Sequence, residues 1–182
     1  MLAVANTTKL QGDIIIDYPF IVPTTDELKI IERNIDGSLK TTPISQTQNP
    51  YLTSKAFVIA NSFMSDAIII SQSCDIQRRN YIHLSPVKKI SLLIQELSDK
   101  EYDEKRINNV IDSLKDEKIN YYFYIPGDFV GGVTLEDSYV DLEVVGIVPL
   151  ANLSPYNRPV TLTDLGRHRL SFKLINLYGR PF

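Results

Sequence analysis

A chain of 182 residues, 43% of them hydrophobic, can bury about two thirds of the surface its unfolded form would expose, so it can fold without covalent staples. Its single cysteine excludes an intramolecular disulfide framework and a multi-cysteine zinc site, and its net charge of −3 excludes a global pull toward nucleic acid. The N-terminus, MLAVANTTKLQGD, has no basic segment leading into a long apolar core, and no stretch approaches the roughly 18 apolar residues of a membrane span. The expectation is one domain over residues 1–182, soluble, cytoplasmic and without membrane contact.

The first strand candidate is GDIIIDYPF, opening at Gly12 and running into the β-branched Ile14, Ile15 and Ile16. LKIIERN and SLKTTPI flank Asp36-Gly37, which signals a hairpin, and Ser45 to Ser54 form a polar loop. AFVIA, DAIIISQS and YIHLSPV follow as short strands at turn-length spacing, a pattern of antiparallel sheets or barrels rather than of βαβ units. From about 88 to 118 the period changes to helical: KKISLLIQEL makes one helix, and Ser98 with Glu101 reads as a capping box for a second that carries Ile107, Val110, Ile111 and Leu114 on one face. NYYFYIPGD and SYVDLEVVGIVPL return to strand, Val140, Leu142 and Val144 alternating with Tyr139, Asp141 and Glu143. The end of the chain, about 162–178, reads as a helix capped by Thr161 with Asp164 and carrying a Leu170, Leu174, Leu177, Tyr178 stripe; Gly166 weakens its first turn.

Chemistry gathers where the apolar run AIII ends in Ser71, Gln72, Ser73, Cys74 and Asp75. A thiol becomes a nucleophile beside a base or a positive charge, and His83, His168, Arg78 and Arg79 are available as helpers, though none has a spacing that identifies a Cys-His enzyme. Cys74, Asp75 and His83 are thus the catalytic candidates. The competing readings are a small packing residue for Cys74, an outward strand histidine for His83, and for Asp75 a carboxylate that accepts backbone N–H groups of the following turn. Glu136-Asp137 and the pair Asp141 and Glu143 have the groups to bind a metal or share a proton but fit an outward strand face, and Tyr121 to Tyr124 could stack on bases beside a basic groove but fit a two-faced strand. GDFVGG lacks the Lys-Ser/Thr of a phosphate loop, and no metal site or cofactor is expected.

Charge is unevenly placed. Glu96 to Glu117 holds eight acidic and four basic residues, net −4, whereas Arg158 to Phe182 holds five basic residues against Asp164, net +4. The basic segment is the one plausible polyanion surface, so Arg167, Arg169 and Lys173 join Ser71, Gln72, Ser73, Arg78 and Arg79 as binding candidates.

GDIII, AIIISQSCDI and YIHLSPV resemble the strand order of the SH3-like barrel of MazF/PemK toxins. That family resemblance implies an endoribonuclease, but its Arg-Pro pair leading into a later strand is replaced here by Met64-Ser65-Asp66 before Ala67. A second likeness covers residues 12–20 and 67–182: SQSCDI, SYVDLEVVGIVPL and RHRLSFKLINLYGRPF are similar to uncharacterised prokaryotic proteins, which implies no assigned activity. The fold expected is α+β, a strongly bent antiparallel sheet or small SH3-like β-barrel with a two-helix insertion and a C-terminal helix. The function expected is a non-enzymatic binding or regulatory module of a bacterial or prophage defence or toxin-like system, with a protein or nucleic acid as partner and an open oligomeric state. The alternatives are a MazF/PemK-like endoribonuclease and a Cys74-dependent hydrolase.

Overall fold

The computed structural model describes residues 1–5, 8–21, 29–33, 36–43, 57–59, 62–76, 78–153 and 158–179. The chain divides into two compact units, Met1–Tyr18 with Ser65–Phe182, and Pro19–Met64. In the smaller unit β3 (Lys29–Arg33) pairs antiparallel with β4 (Leu39–Pro43) around Asp36-Gly37, the hairpin expected from sequence, and on its other side with β5 (Phe57–Ile59). The loop expected at 45–54 lies outside the described residues.

The main sheet is antiparallel and strongly curled into an open half-barrel, within the α+β class expected. Its strands are β1 (Leu2–Val4), β2 (Asp13–Ile21), β6 (Ser62–Ile69), β7 (Tyr81–Lys89), β8 (Tyr122–Ile125), β11 (Ser138–Asp141), β12 (Gly146–Pro149) and β13 (Val160–Leu162). They run in the order β1-β13-β2-β6-β7-β11-β8, with β12 pairing the first half of β7. The hairpin β9 (Asp128–Val130) and β10 (Val133–Leu135) lies apart from this path. Among the described residues four α-helices complete the fold: α1 (Ser73–Ile76), α2 (Ile90–Asp99), α3 (Glu104–Lys115) and α4 (Asp164–Tyr178).

Alternation along β8 and β11 divides the core. Phe123, Ile125 and Val140 pack on one face with Leu170 and Leu174 of α4, whereas Tyr139, with Tyr122 and Tyr124 beside it, meets Ile90, Leu93, Ile107 and Ile111 of α2 and α3 on the other. The predicted two-helix insertion and the predicted C-terminal helix therefore both exist, one on each face. Three local expectations are corrected. Ser98 does not cap α3; its hydroxyl donates to Ile94 O within α2, and Asp103 is the N-cap, accepting from Arg106 N–H at 2.7 Å. Thr161 belongs to β13, and Thr163 caps α4 by accepting from Gly166 N–H. SYVDLEVVGIVPL is two strands, because Asp141 turns the chain by accepting Glu143 N–H on its side chain and Val144 N–H on its carbonyl.

Gly166 has a packing reason. A Cβ there would lie 3.1 Å from both Leu162 Cβ and Met1 Cγ, so the glycine lets α4 seat against the first strand of the chain and the strand before it.

Candidate functional site

At the end of β6 the ladder with β7 exchanges partners. Ile70 N–H still donates to His83 O at 3.0 Å, but His83 N–H donates to the Ser71 hydroxyl at 2.7 Å instead of to a β6 carbonyl. The carbonyl of Ile70 is taken by Gln11 Nε2 at 2.9 Å. Ser71 Oγ, on a residue only 5% exposed, also lies 3.1 Å from His83 Nδ1, so it brackets both the amide and the ring of that histidine. Gln11 continues outward: its N–H donates to Ser73 Oγ at 3.0 Å, and its side-chain oxygen accepts from Ser171 Oγ of α4 at 2.9 Å. The small polar run is thus required by backbone accounting, since each hydroxyl replaces a group the departing strand gives up.

Beyond Ser73 the chain makes the single turn α1. Asp75 and Ile76 N–H groups donate to Gln72 O, and Arg78 and Arg79 N–H groups donate to Asp75 O. Asp75 therefore shapes the turn through its carbonyl. Its carboxylate faces Arg79 at 3.8 Å. Gln77 lies outside the described residues. Cys74 is exposed, with Gln72 Oε1 3.7 Å from its sulfur. Among the described residues the imidazole of His83 lies against Ser71, and the Cys74 thiol against Gln72.

Arg79 links the turn to β7. Its guanidinium meets Tyr81 OH at 3.3 Å, and the Tyr81 ring stands edge-on to His83 with centroids 5.8 Å apart. Burial, and then the Arg79 charge, lower the His83 pKa below its usual 6.5, so the ring is neutral at neutral pH. Ser71 is a poor nucleophile in this setting, being enclosed and already accepting an amide.

The basic C-terminal segment is organised inward. Arg158 pairs with the buried Asp13; Arg167 bonds Asp164 and, at 2.6 Å, Leu162 O; Arg169 pairs with Glu117 at 2.7 Å. Lys173, expected on the exposed face, is only 8% exposed and donates to Glu117 O at 3.0 Å and Ile119 O at 2.8 Å. Arg180 lies outside the described residues. The −4 insertion and the +4 segment thus meet at Glu117, and much of the apparent polarity is satisfied within the unit. Beside its polar residues α4 exposes apolar ones: Leu165 is 70% and Phe172 67% exposed, and Phe172 borders a cleft of about 400 Å³ lined also by Glu117, His168, Arg169 and Lys173. Sequence reasoning missed this second stripe, although Leu165, Phe172 and Ile175 were legible as apolar residues opposite the core-facing leucines.

The carboxylate pairs have local partners as well. Glu136 holds Lys89, Asp137 accepts Gly127 N–H and faces Lys115, and Asp141 holds Lys88. Among the described residues no group of three or more His, Cys, Asp or Glu side chains is placed to hold a metal, and no helix is long and apolar enough to cross a membrane. Tyr122 and Tyr124 are engaged against α2 and α3 and form no open stacking platform. No family model, curated protein or solved structure matches this chain.

Proposed function

We propose that this protein is a non-enzymatic binding module that recognises a protein partner through the solvent face of α4. The observation that carries the reading is the inversion on that helix. Its cations Arg167, Arg169 and Lys173 have acceptors inside the molecule, while Leu165 and Phe172 stand in solvent. A polyanion surface needs cations free to displace counterions from phosphates. A protein-docking surface needs exposed apolar and aromatic anchors with a polar surround, which is what this face offers. The turn at Ser71 to Arg79 flanks the same unit and is tied to α4 through Gln11, so it supports the helix mechanically.

Full-length protein titrated against random single- and double-stranded RNA and DNA at two salt concentrations is expected to show neither binding nor cleavage. Immobilised protein is expected to retain a protein from cell extract that the Phe172→Glu variant does not retain. Salt-sensitive nucleic-acid binding lost on Arg169→Glu, or cleavage in the same tubes, would overturn the reading.

A further inference from the structure

We infer that the cleft beside Phe172 is a binding site for a small aromatic monocarboxylate. The site goes beyond the docking reading of α4 and does not rest on it. The cleft, about 400 Å³, is lined by His168, Arg169, Phe172 and Lys173 of α4 and by Glu117, just past the end of α3. That volume lies toward the small end of the range for ligand sites and accommodates a molecule of one or two rings. His168 and Phe172 stand four positions apart, so their side chains are neighbours on one face of the helix, and both are exposed. Together they offer ring faces and edges on which a planar ligand stacks.

Charge and unused donors select the ligand. Two cations and one carboxylate line the cleft, a surplus of one positive charge. The Arg169 guanidinium is fixed by Glu117 Oε1 at 2.7 Å and by the Met1 sulfur at 3.1 Å, which engages two of its five N–H groups. The Lys173 ammonium gives two of its three N–H groups to Glu117 O and Ile119 O. Among the described residues, three N–H groups of Arg169 and one of Lys173 are therefore left without an acceptor. A guanidinium already held in place offers its remaining donors without losing side-chain freedom, so the internal contacts orient the site. Burial, ahead of the neighbouring charges, lowers the Lys173 pKa below 10.5, and an anion beside this enclosed ammonium offsets that cost. A phosphate dianion exceeds the surplus of one charge and meets the Glu117 carboxylate, and a polynucleotide needs cations free at several exposed positions. A single carboxylate carried on a ring suits both the donors and the aromatic wall.

Benzoate titrated into the full chain, with the ring signals of Phe172 and His168 followed by NMR, tests this. Both rings are expected to shift saturably with Kd on the order of 1 mM. Benzamide, which has the ring without the charge, acetate, which has the charge without the ring, and inorganic phosphate are expected to bind at least about tenfold more weakly. Arg169→Gln and Phe172→Ala are each expected to weaken benzoate by about tenfold, and Leu165→Glu, which does not line the cleft, to leave it unchanged, with circular dichroism confirming that each variant is folded. Benzamide or phosphate bound as tightly as benzoate, binding indifferent to both Arg169→Gln and Phe172→Ala, or no saturable shift up to about 10 mM overturns the inference. Retention of a protein from extract is measured without benzoate, so the docking reading and the ligand site can each fall alone.

Discussion

Lys173 Nζ donates to the carbonyl oxygen of Glu117 at 3.0 Å, and through it α4 closes the C-terminal end of α3. Glu117 sits at φ 55°, the left-handed position that usually takes glycine after a helix, while Lys118 N–H returns to Ser113 O. The ammonium takes up that exposed carbonyl together with Ile119 O. Lys173→Met leaves both without this donor and is expected to cost about 1–3 kcal/mol in urea denaturation. Arg169→Ala, which removes a half-exposed ion pair with the same residue, should cost less than about 1 kcal/mol. Equal costs would show that the two side chains hold Glu117 alike.

Alkali should destabilise the larger unit. Burial, with the carboxylates Asp141 and Asp137 respectively as further causes, raises the Tyr122 and Tyr124 pKa values from 10.0 to about 12. The unfolded chain then loses its phenol protons first, so stability present below pH 10 is lost as pH rises toward about 12. Burial shifts Lys173 the other way, below 10.5, and its contribution to stability rises with pH over the neighbouring range. With Tyr139 and Tyr178 also raised by burial, four phenols among the described residues stand against this one lowered ammonium and give a net fall. The urea midpoint of Tyr122→Phe/Tyr124→Phe should therefore change less between about pH 9 and about pH 11 than that of the parent.

His83 should titrate below 6.5 in the folded protein, followed by NMR of its ring nitrogens. Burial is the first cause and Arg79 the second, so Arg79→Ala should raise the value only part of the way back. The folded state disfavours the imidazolium, so stability from this group is lost as pH falls below 6.5 and the unfolded chain takes up its proton first. A full return to 6.5 in Arg79→Ala would show that charge and not burial sets the shift.

Ser71 and Asp75 separate two kinds of turn residue. Ser71→Ala removes the acceptor of His83 N–H inside the unit and should lower stability by about 1–3 kcal/mol. Asp75→Ala loses, among the described residues, a long contact to Arg79 and should cost less than about 1 kcal/mol. Thermal melting distinguishes them. Equal losses would mean that the Asp75 carboxylate also shapes the turn.

Ser85 is the one buried side chain found without a hydrogen-bond partner among the described residues, on a residue with no exposure. An enclosed hydroxyl without a partner opposes folding, so Ser85→Ala should be neutral or stabilising by up to about 1 kcal/mol in chemical denaturation. A loss beyond that would reveal a hydrogen bond or packing contribution made by the hydroxyl.

Periodicity was a sound guide wherever one local rule decides the outcome. The fully buried run Ala67 to Ile70, the Asp36-Gly37 hairpin, the helical insertion and the closing helix all follow from the spacing of apolar residues and turn chemistry, which act over a few positions. Caps were less legible, because Ser98, Asp103, Thr161 and Thr163 are all competent caps and only the start of the helix selects among them.

The sequence by itself determined the α+β class, the place of the helical insertion and of the closing helix, and the place where small polar residues follow the buried strand. Only the tertiary structure decided what those polar residues and charges do. Ser71 serves His83 from twelve positions away, Gln11 joins Ser73 to Ser171, and Lys173 reaches the carbonyls of Glu117 and Ile119. A hydrogen-bond or ion-pair partner is fixed by distance in space, and distance between residues far apart in the chain is set by packing. The same cations that look like a basic surface in one dimension are therefore drawn inward in three, and the apolar residues between them are left facing solvent.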